Sequence, residues 1–255
     1  MEKYSLRNQL SQTSNDERFK DEISQHFLKS SGTLLDKLNN FSRYVPRQSL
    51  SLFLAKNELF KQIINIHGCI VECGVFMGGG LFTWAQLSSI YEPINHNRKI
   101  IGFDTFSGFP TLTNKDLSAS DTEQEYKRSG AYNFEADDEL LFCAELHNIN
   151  RPLGHIPNIE LIKGDAINTI PNHLEKNSHI VVSLLYLDFD LYEPTKLALE
   201  LFIPRMPKGG VLVFDELNQK QWPGETLAVL ETVGINNIKI QRFSFTPSLS
   251  YAVIE

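Results

Sequence analysis

Cysteine, positive charge and long apolar runs are all scarce in this chain, and each scarcity removes a class of explanation. Cysteine occurs only at Cys69, Cys73 and Cys143. The odd count offers no disulfide framework and no zinc-site spacing, which fits a reducing cytoplasm. Cys69 and Cys73 flank an apolar run and read as inert core thiols. Lys and Arg number 24 against 31 Asp and Glu, for a net charge of −7. That balance argues against a nucleic-acid partner, which needs a basic face to neutralise phosphates. No run of 18 or more apolar residues occurs, so no membrane span is expected. The opening Met1-Glu2-Lys3-Tyr4-Ser5 has no apolar signal core, so the expected location is cytoplasmic.

With 42% hydrophobic residues in 255, the chain can bury the core of a large α/β domain. It is organised around Ile70-Val71-Glu72-Cys73-Gly74-Val75-Phe76-Met77-Gly78-Gly79-Gly80. A short apolar run followed by spaced glycines reads as a strand turning tightly into a helix, with the helix N–H groups facing a ligand cradle. A tight turn that binds nothing is the bland alternative.

Four further strands are expected at 100–104, 159–163, 180–188 and 211–215. Continuous apolar runs such as Ile180-Val181-Val182-Ser183-Leu184-Leu185 suit a parallel sheet covered on both faces. Helices are expected at 49–66, 81–91, 194–203 and 223–233, from helical apolar spacing and flanking prolines. The tail, 237–243 and 249–254 around Thr246-Pro247-Ser248, reads as an antiparallel hairpin. Residues 1–46 read as a helical arm suited to a neighbouring subunit. The segment 111–157 is too long for an ordinary loop and carries nine acidic against four basic residues. With Tyr126, Tyr132, Phe134 and a helix expected at 137–148, it reads as a lid or a packing appendage.

In open α/β sheets, ligands bind beyond the carboxyl ends of the strands. Those ends are acidic here: Glu72, Asp104, Asp165, Asp188, Asp190, Asp215 and Glu216. One such Asp is often only a helix cap, but so many like charges at one edge call for cations or hydroxyl donors. Asp104, with the loop Thr105-Phe106-Ser107-Gly108-Phe109-Pro110, suits the two hydroxyls of a ribose. If the strands at 180–188 and 211–215 are neighbours, their ends lie about 4.8 Å apart, and the carboxylates of Asp188, Asp215 and Glu216 suit one hard divalent ion such as Mg²⁺. Asp190 is the candidate general base. Alone, a carboxylate faces a gap of roughly 16 kcal/mol in deprotonating an alcohol, taking water as a proxy. A neighbouring cation closes much of that gap.

Glu72-Cys73-Gly74-Val75-Phe76-Met77-Gly78-Gly79 resembles the first motif of the macrocin O-methyltransferase family of sugar-modifying enzymes. Asp104 to Pro110 resembles its D-S-F-x-G-L-P motif. Leu187-Asp188-Phe189-Asp190-Leu191-Tyr192-Glu193-Pro194-Thr195 resembles L-D-x-D-x-Y-x-S-T, and Gly209-Gly210-Val211-Leu212-Val213-Phe214-Asp215-Glu216 resembles G-G-x-x-x-x-D-D. The resemblance spans about 47–233 and is nearest to the branch acting on TDP-rhamnose.

The resemblance implies a class I methyltransferase domain over 47–255, with a Rossmann-like, mostly parallel seven-stranded sheet of order 3-2-1-4-5-7-6. It implies S-adenosylmethionine (SAM) bound by Glu72, Gly74, Val75, Gly78, Asp104, Thr105 and Asp165. It implies Mg²⁺ on Asp188, Asp215 and Glu216, with Asp190 as base, a sugar or nucleotide-sugar acceptor, and a homo-oligomer. Glu216 stands for the family's Asp and Pro194 for its Ser, and the lid matches poorly. Lys127, Arg128 and Arg151 are the lid cations available to a diphosphate. The competing readings are a catechol or phenol acceptor and a non-catalytic SAM- or nucleotide-binding subunit. An NAD-dependent dehydrogenase is disfavoured, because the glycines run G-x-x-x-G-G-G.

Overall fold

The computed structural model describes residues 13–118 and 127–255. Tyr126 and the first twelve residues of the expected arm lie outside them. The chain forms two compact units, Met1–Leu50 and Ser51–Glu255.

In the first unit, α1 (Ser14–Lys29) and α2 (Leu34–Asn39) each start at a capping box, Thr13 with Asp16 and Thr33 with Asp36. Each threonine oxygen accepts an otherwise unpaired helix N–H, and each aspartate accepts from the threonine N–H in return. Phe27 meets Tyr44 edge to face, ring centroids 5.0 Å apart. Helix α3 spans Arg47–Ile63.

The second unit alternates strand and helix: β1 (Cys69–Cys73), α4 (Gly79–Tyr91), β2 (Ile100–Asp104), α5 (Asp137–Ile149), β3 (Ile159–Lys163), α6 (Ala166–Lys176), β4 (Val182–Leu187), α7 (Tyr192–Phe202), β5 (Val211–Phe214), α8 (Pro223–Thr232), β6 (Gln241–Arg242) and β7 (Ser250–Val253). The sheet order is β3-β2-β1-β4-β5-β7-β6. β1 to β5 are parallel, and β7 pairs antiparallel with both β5 and β6. This is the expected class I methyltransferase topology.

Period-two alternation divides the core. Val71, Cys73, Leu185, Leu187, Leu212 and Phe214 face α6, α7 and α8, while Ile70, Leu184, Tyr186, Val211 and Val213 face α3 and α4. Both faces are covered, which explains the unbroken apolar runs. The strands are shorter than the sequence reading: β4 and β5 end one residue before Asp188 and Asp215. Both acids therefore begin the loops at the sheet's carboxyl edge. The hairpin is also shorter: its strands are Gln241–Arg242 and Ser250–Val253, and the start of the expected first strand, Asn237, ends the 3-10 turn Ile235–Asn237.

Candidate active site

β1 delivers its chain to the glycine turn at Gly74, whose φ is +97°. A Cβ there would lie 2.0 Å from the Asp188 carbonyl oxygen. Only glycine permits this approach, which sets the turn directly against the end of β4. Phe76 follows at φ +50°, a strained backbone for a bulky residue. Asp104, at the end of β2, holds it there: its Oδ2 accepts the Val75 N–H (2.7 Å) and the Phe76 N–H (2.8 Å). Gly78, at φ +80°, begins α4 with no side-chain cap, and a Cβ on Gly79 would enter open space. Uncapped helix N–H groups beside open space fit the carboxylate and nucleoside of SAM.

The acids expected around this turn have specific partners. Asp104 Oδ1 also accepts the Phe106 N–H (2.7 Å), so three of about four acceptor positions are taken by main chain. Its first role is to brace the turn. The Thr105 hydroxyl donates to the Gly108 carbonyl (2.6 Å) and shapes the following loop. Asp165 caps α6, accepting the Ile167 N–H (3.1 Å). Glu72 points away from the open side, onto the α4 side of β1. It accepts from Trp84 Nε1 (2.6 Å), and a Cβ on Gly80 would lie 2.3 Å from its Oε1. Burial pushes its carboxyl up to about 7, against the pull of Lys56 and the hydrogen bond from Trp84.

Asp188, Asp190, Asp215 and Glu216 gather at the ends of β4 and β5. Burial, then the charges of Asp215 and Asp190, hold the Asp188 carboxyl well above the usual range. Burial and Asp215 push Asp190 up to about 8, with Lys127 pulling the other way. Asp190 adopts φ +61°. With Phe76, Phe106 and Asn218 also at positive φ, strained backbone follows the carboxyl ends of β1, β2, β4 and β5. Such strain concentrates where a site must be held in shape.

Three residues that the sequence reading passed over join the site. Lys56, buried on α3, lies 3.3 Å from the Tyr186 ring centroid, and the Tyr186 hydroxyl donates to Asp215 Oδ1 (2.9 Å). Glu225, fully buried in the first turn of α8, accepts the Glu216 N–H (3.0 Å) and leaves Oε2 with no partner. Asp116, buried in the lid, accepts the Tyr192 N–H (2.6 Å). Asp116 had a local signal, the capping pattern Thr113-Asn114-Lys115-Asp116; Lys56 and Glu225 had none.

Rings from several loops meet one another. Phe109 meets Tyr132 (5.0 Å) and Trp222 (5.4 Å), and Phe76 meets Tyr132 (6.5 Å). Through Tyr132, the described part of the 111–157 insertion meets the loops after β1, β2 and β5. The Lys127 ammonium sits 4.9 Å from the Trp222 ring centroid.

Carboxylates drawn together at one edge, where the charge of Asp215 raises the proton affinity of Asp188 and Asp190, suit a hard divalent cation. Among the described residues, no three His, Cys, Asp or Glu side chains stand grouped to hold an ion as they lie. The donor atoms are of the right chemistry, without a preformed cage. No described helix is long and apolar enough to cross a membrane.

The profile of the family described as Macrocin-O-methyltransferase (TylF) matches residues 56–231. The solved structure of CalS11, a calicheamicin methyltransferase, superposes with a TM-score of 0.89 at 29% identity over 95% of this chain and 93% of that one. The apo structure of CalS11, described as a TDP-rhamnose 3'-O-methyltransferase, gives 0.82 at 28% identity over 95% of each chain. The O-methyltransferase NovP shares the fold, with a TM-score of 0.59 at 19% identity over 79% of this chain and 78% of that one. No curated protein matches the chain by sequence.

Proposed function

The chain belongs to the macrocin O-methyltransferase family, and from that premise we propose that it transfers a methyl group from SAM to a sugar hydroxyl with the help of Mg²⁺. The acceptor class we propose is a nucleotide-linked deoxysugar such as TDP-rhamnose, or a sugar already attached to a natural product. The observation that carries the reading is the contact of Gly74 with the Asp188 carbonyl. It joins the glycine turn to the acid cluster at the ends of β4 and β5, so that cofactor and acceptor would meet at one edge.

When bound, SAM supplies a sulfonium methyl open to in-line displacement by an oxygen, and Mg²⁺ eases deprotonation of that oxygen's hydroxyl. Gly74, Val75 and Gly78 shape the cofactor cradle. Asp104 and Glu72 brace it from either side, Thr105 sets the adjoining loop, and Asp165 would stand beside the adenine. Asp188, Asp215 and Glu216 would hold the ion through carboxylate oxygens.

Asp190 takes the acceptor proton onto its carboxylate. Without a cation, burial and Asp215 raise its proton affinity to about 8; a bound cation would favour its charged form and keep it ready to accept the proton. Phe109, Tyr132 and Trp222 cover the edge and exclude water, which strengthens every charge interaction beneath them. Holding the two reactants at near-attack distance supplies much of the remaining acceleration.

Residues 1–46 act in this reading as an arm toward a second copy, and sedimentation velocity returning a monomer overturns that part. The test of the reaction is methyl transfer from labelled SAM to a panel of TDP-deoxysugars, with catechols alongside, with and without Mg²⁺. Metal-dependent transfer to a sugar is expected. Full turnover in chelator removes the metal, and transfer only to catechols replaces the acceptor.

A further inference from the structure

Helix α7 follows the Asp190 turn directly, and its own N-cap residue is Leu191, which offers no capping oxygen. The first N–H groups of a helix need an acceptor. Here it comes from 76 residues upstream, where Asp116 Oδ1 accepts the Tyr192 N–H (2.6 Å). The other oxygen, Oδ2, accepts the Thr113 N–H (2.6 Å) and hydroxyl (2.8 Å), locking the lid's 3-10 turn. One buried carboxylate thus joins the lid to the helix that begins two residues after Asp190. Lys115, its neighbour, lies 3.9 Å from the Tyr192 ring centroid and pairs with Glu231, which also accepts the Tyr192 hydroxyl.

Gly224 supplies independent geometry. A Cβ there would lie 2.6 Å from Asp116 Oδ1, 2.6 Å from the Tyr192 nitrogen and 3.2 Å from the Asp190 carbonyl oxygen. The bare glycine at the start of α8 is the window through which the lid acid reaches the α7 terminus, with the Asp190 main chain on its rim. Asp190 itself is held at φ +61°, a conformation that persists only where its surroundings over-determine it.

We propose that Asp116 is a positioning residue for methyl transfer: by capping α7 from the 113–116 turn, it holds the Asp190 turn in its working conformation. The inference rests on the reading of Asp190 as the base. Asp116 acts through the main chain and touches neither cofactor nor acceptor.

The test compares the full-length parent with Asp116→Ala, Asp116→Asn and Gly224→Ala in three measurements: SAM affinity by calorimetry, kcat with saturating acceptor, and hydrogen exchange of the Tyr192 amide without substrate. Asp116→Ala and Gly224→Ala should speed Tyr192 exchange and lower kcat by about tenfold or more, the size expected for a lost charge-assisted hydrogen bond. SAM affinity should stay within about twofold, because the glycine turn is built from other elements. Asp116→Asn keeps one acceptor oxygen and should recover part of kcat, a graded response that mere loss of fold would not give. If Asp116→Ala does not fold, the other two variants carry the comparison. Faster exchange with kcat unchanged overturns the proposal, as does unchanged exchange. A parent that transfers no methyl to any sugar, while Asp116→Ala still speeds exchange, refutes the acceptor reading and leaves the clamp standing.

Discussion

Replacing Glu72 by glutamine should change how the chain's stability depends on pH more than it changes stability at any one acid pH. The carboxyl is 2% exposed and is raised from 4.5 to about 7, chiefly by burial. The folded chain therefore binds more protons than the unfolded chain between about pH 4.5 and 7. Stability from this group is complete below that window and falls as pH rises through it. A shift of about 2.5 units at ~1.4 kcal/mol per unit puts the loss at about 3 kcal/mol by pH 8. Glutamine stands in for the neutral form at every pH. It can accept from Trp84 as Glu72 does, but its amide nitrogen faces the Leu81 N–H that also bonds Glu72. That mismatch costs about 1–3 kcal/mol and is independent of pH, so it cancels when the two profiles are subtracted. The assay is urea unfolding of the cofactor-free parent and Glu72→Gln from pH 4.5 to 8. The difference should drift by about 3 kcal/mol in favour of the variant as pH rises. Parallel profiles would mean that Glu72 is ionised throughout and paired with Lys56, and the burial argument would fail.

Asp190→Asn should lower kcat by about 10²–10⁴, the range for loss of a general base, with SAM affinity intact by calorimetry; a smaller loss would move the base elsewhere. Without divalent cation, any residual rate of the parent should rise with pH through about 8, as Asp190 ionises. Added Mg²⁺ should move that midpoint down, because a cation favours the charged carboxylate; an unmoved midpoint in a pH–rate profile separates Asp190 from the ion. Gly74→Ala combines a positive φ with a Cβ 2.0 Å from the Asp188 carbonyl. It should cost more than about 1 kcal/mol in denaturant unfolding and weaken SAM binding, whereas parent-like values for both would show that β4 need not lie so close.

The sheet and the edge that carries the site were legible in the residues alone. Apolar runs separated by helical spacing imply parallel strands covered on both faces, and parallel strands put every carboxyl end on one edge. Acids immediately after those runs, from Glu72 and Asp104 to Asp188 and Asp215, therefore had to collect there, beside a turn that Gly74 and Gly78 permit. Where each acid points was settled only by packing. The sequence suggests Asp104 for a ribose but not its main-chain partners: its oxygens take the Val75, Phe76 and Phe106 N–H groups, because a turn strained at Phe76 needs an acceptor there. Asp165 has the local partner that any helix start provides. Lys56 under Tyr186 and Asp116 on the Tyr192 N–H are pairings between elements far apart in the chain, and Glu225 reaches the Glu216 N–H, nine residues back, only because the loop between them folds over. Periodicity tells which face a residue takes, and glycine tells where the backbone bends. The partner of a buried polar atom depends on which distant segment arrives opposite it, and only the folded chain decides that.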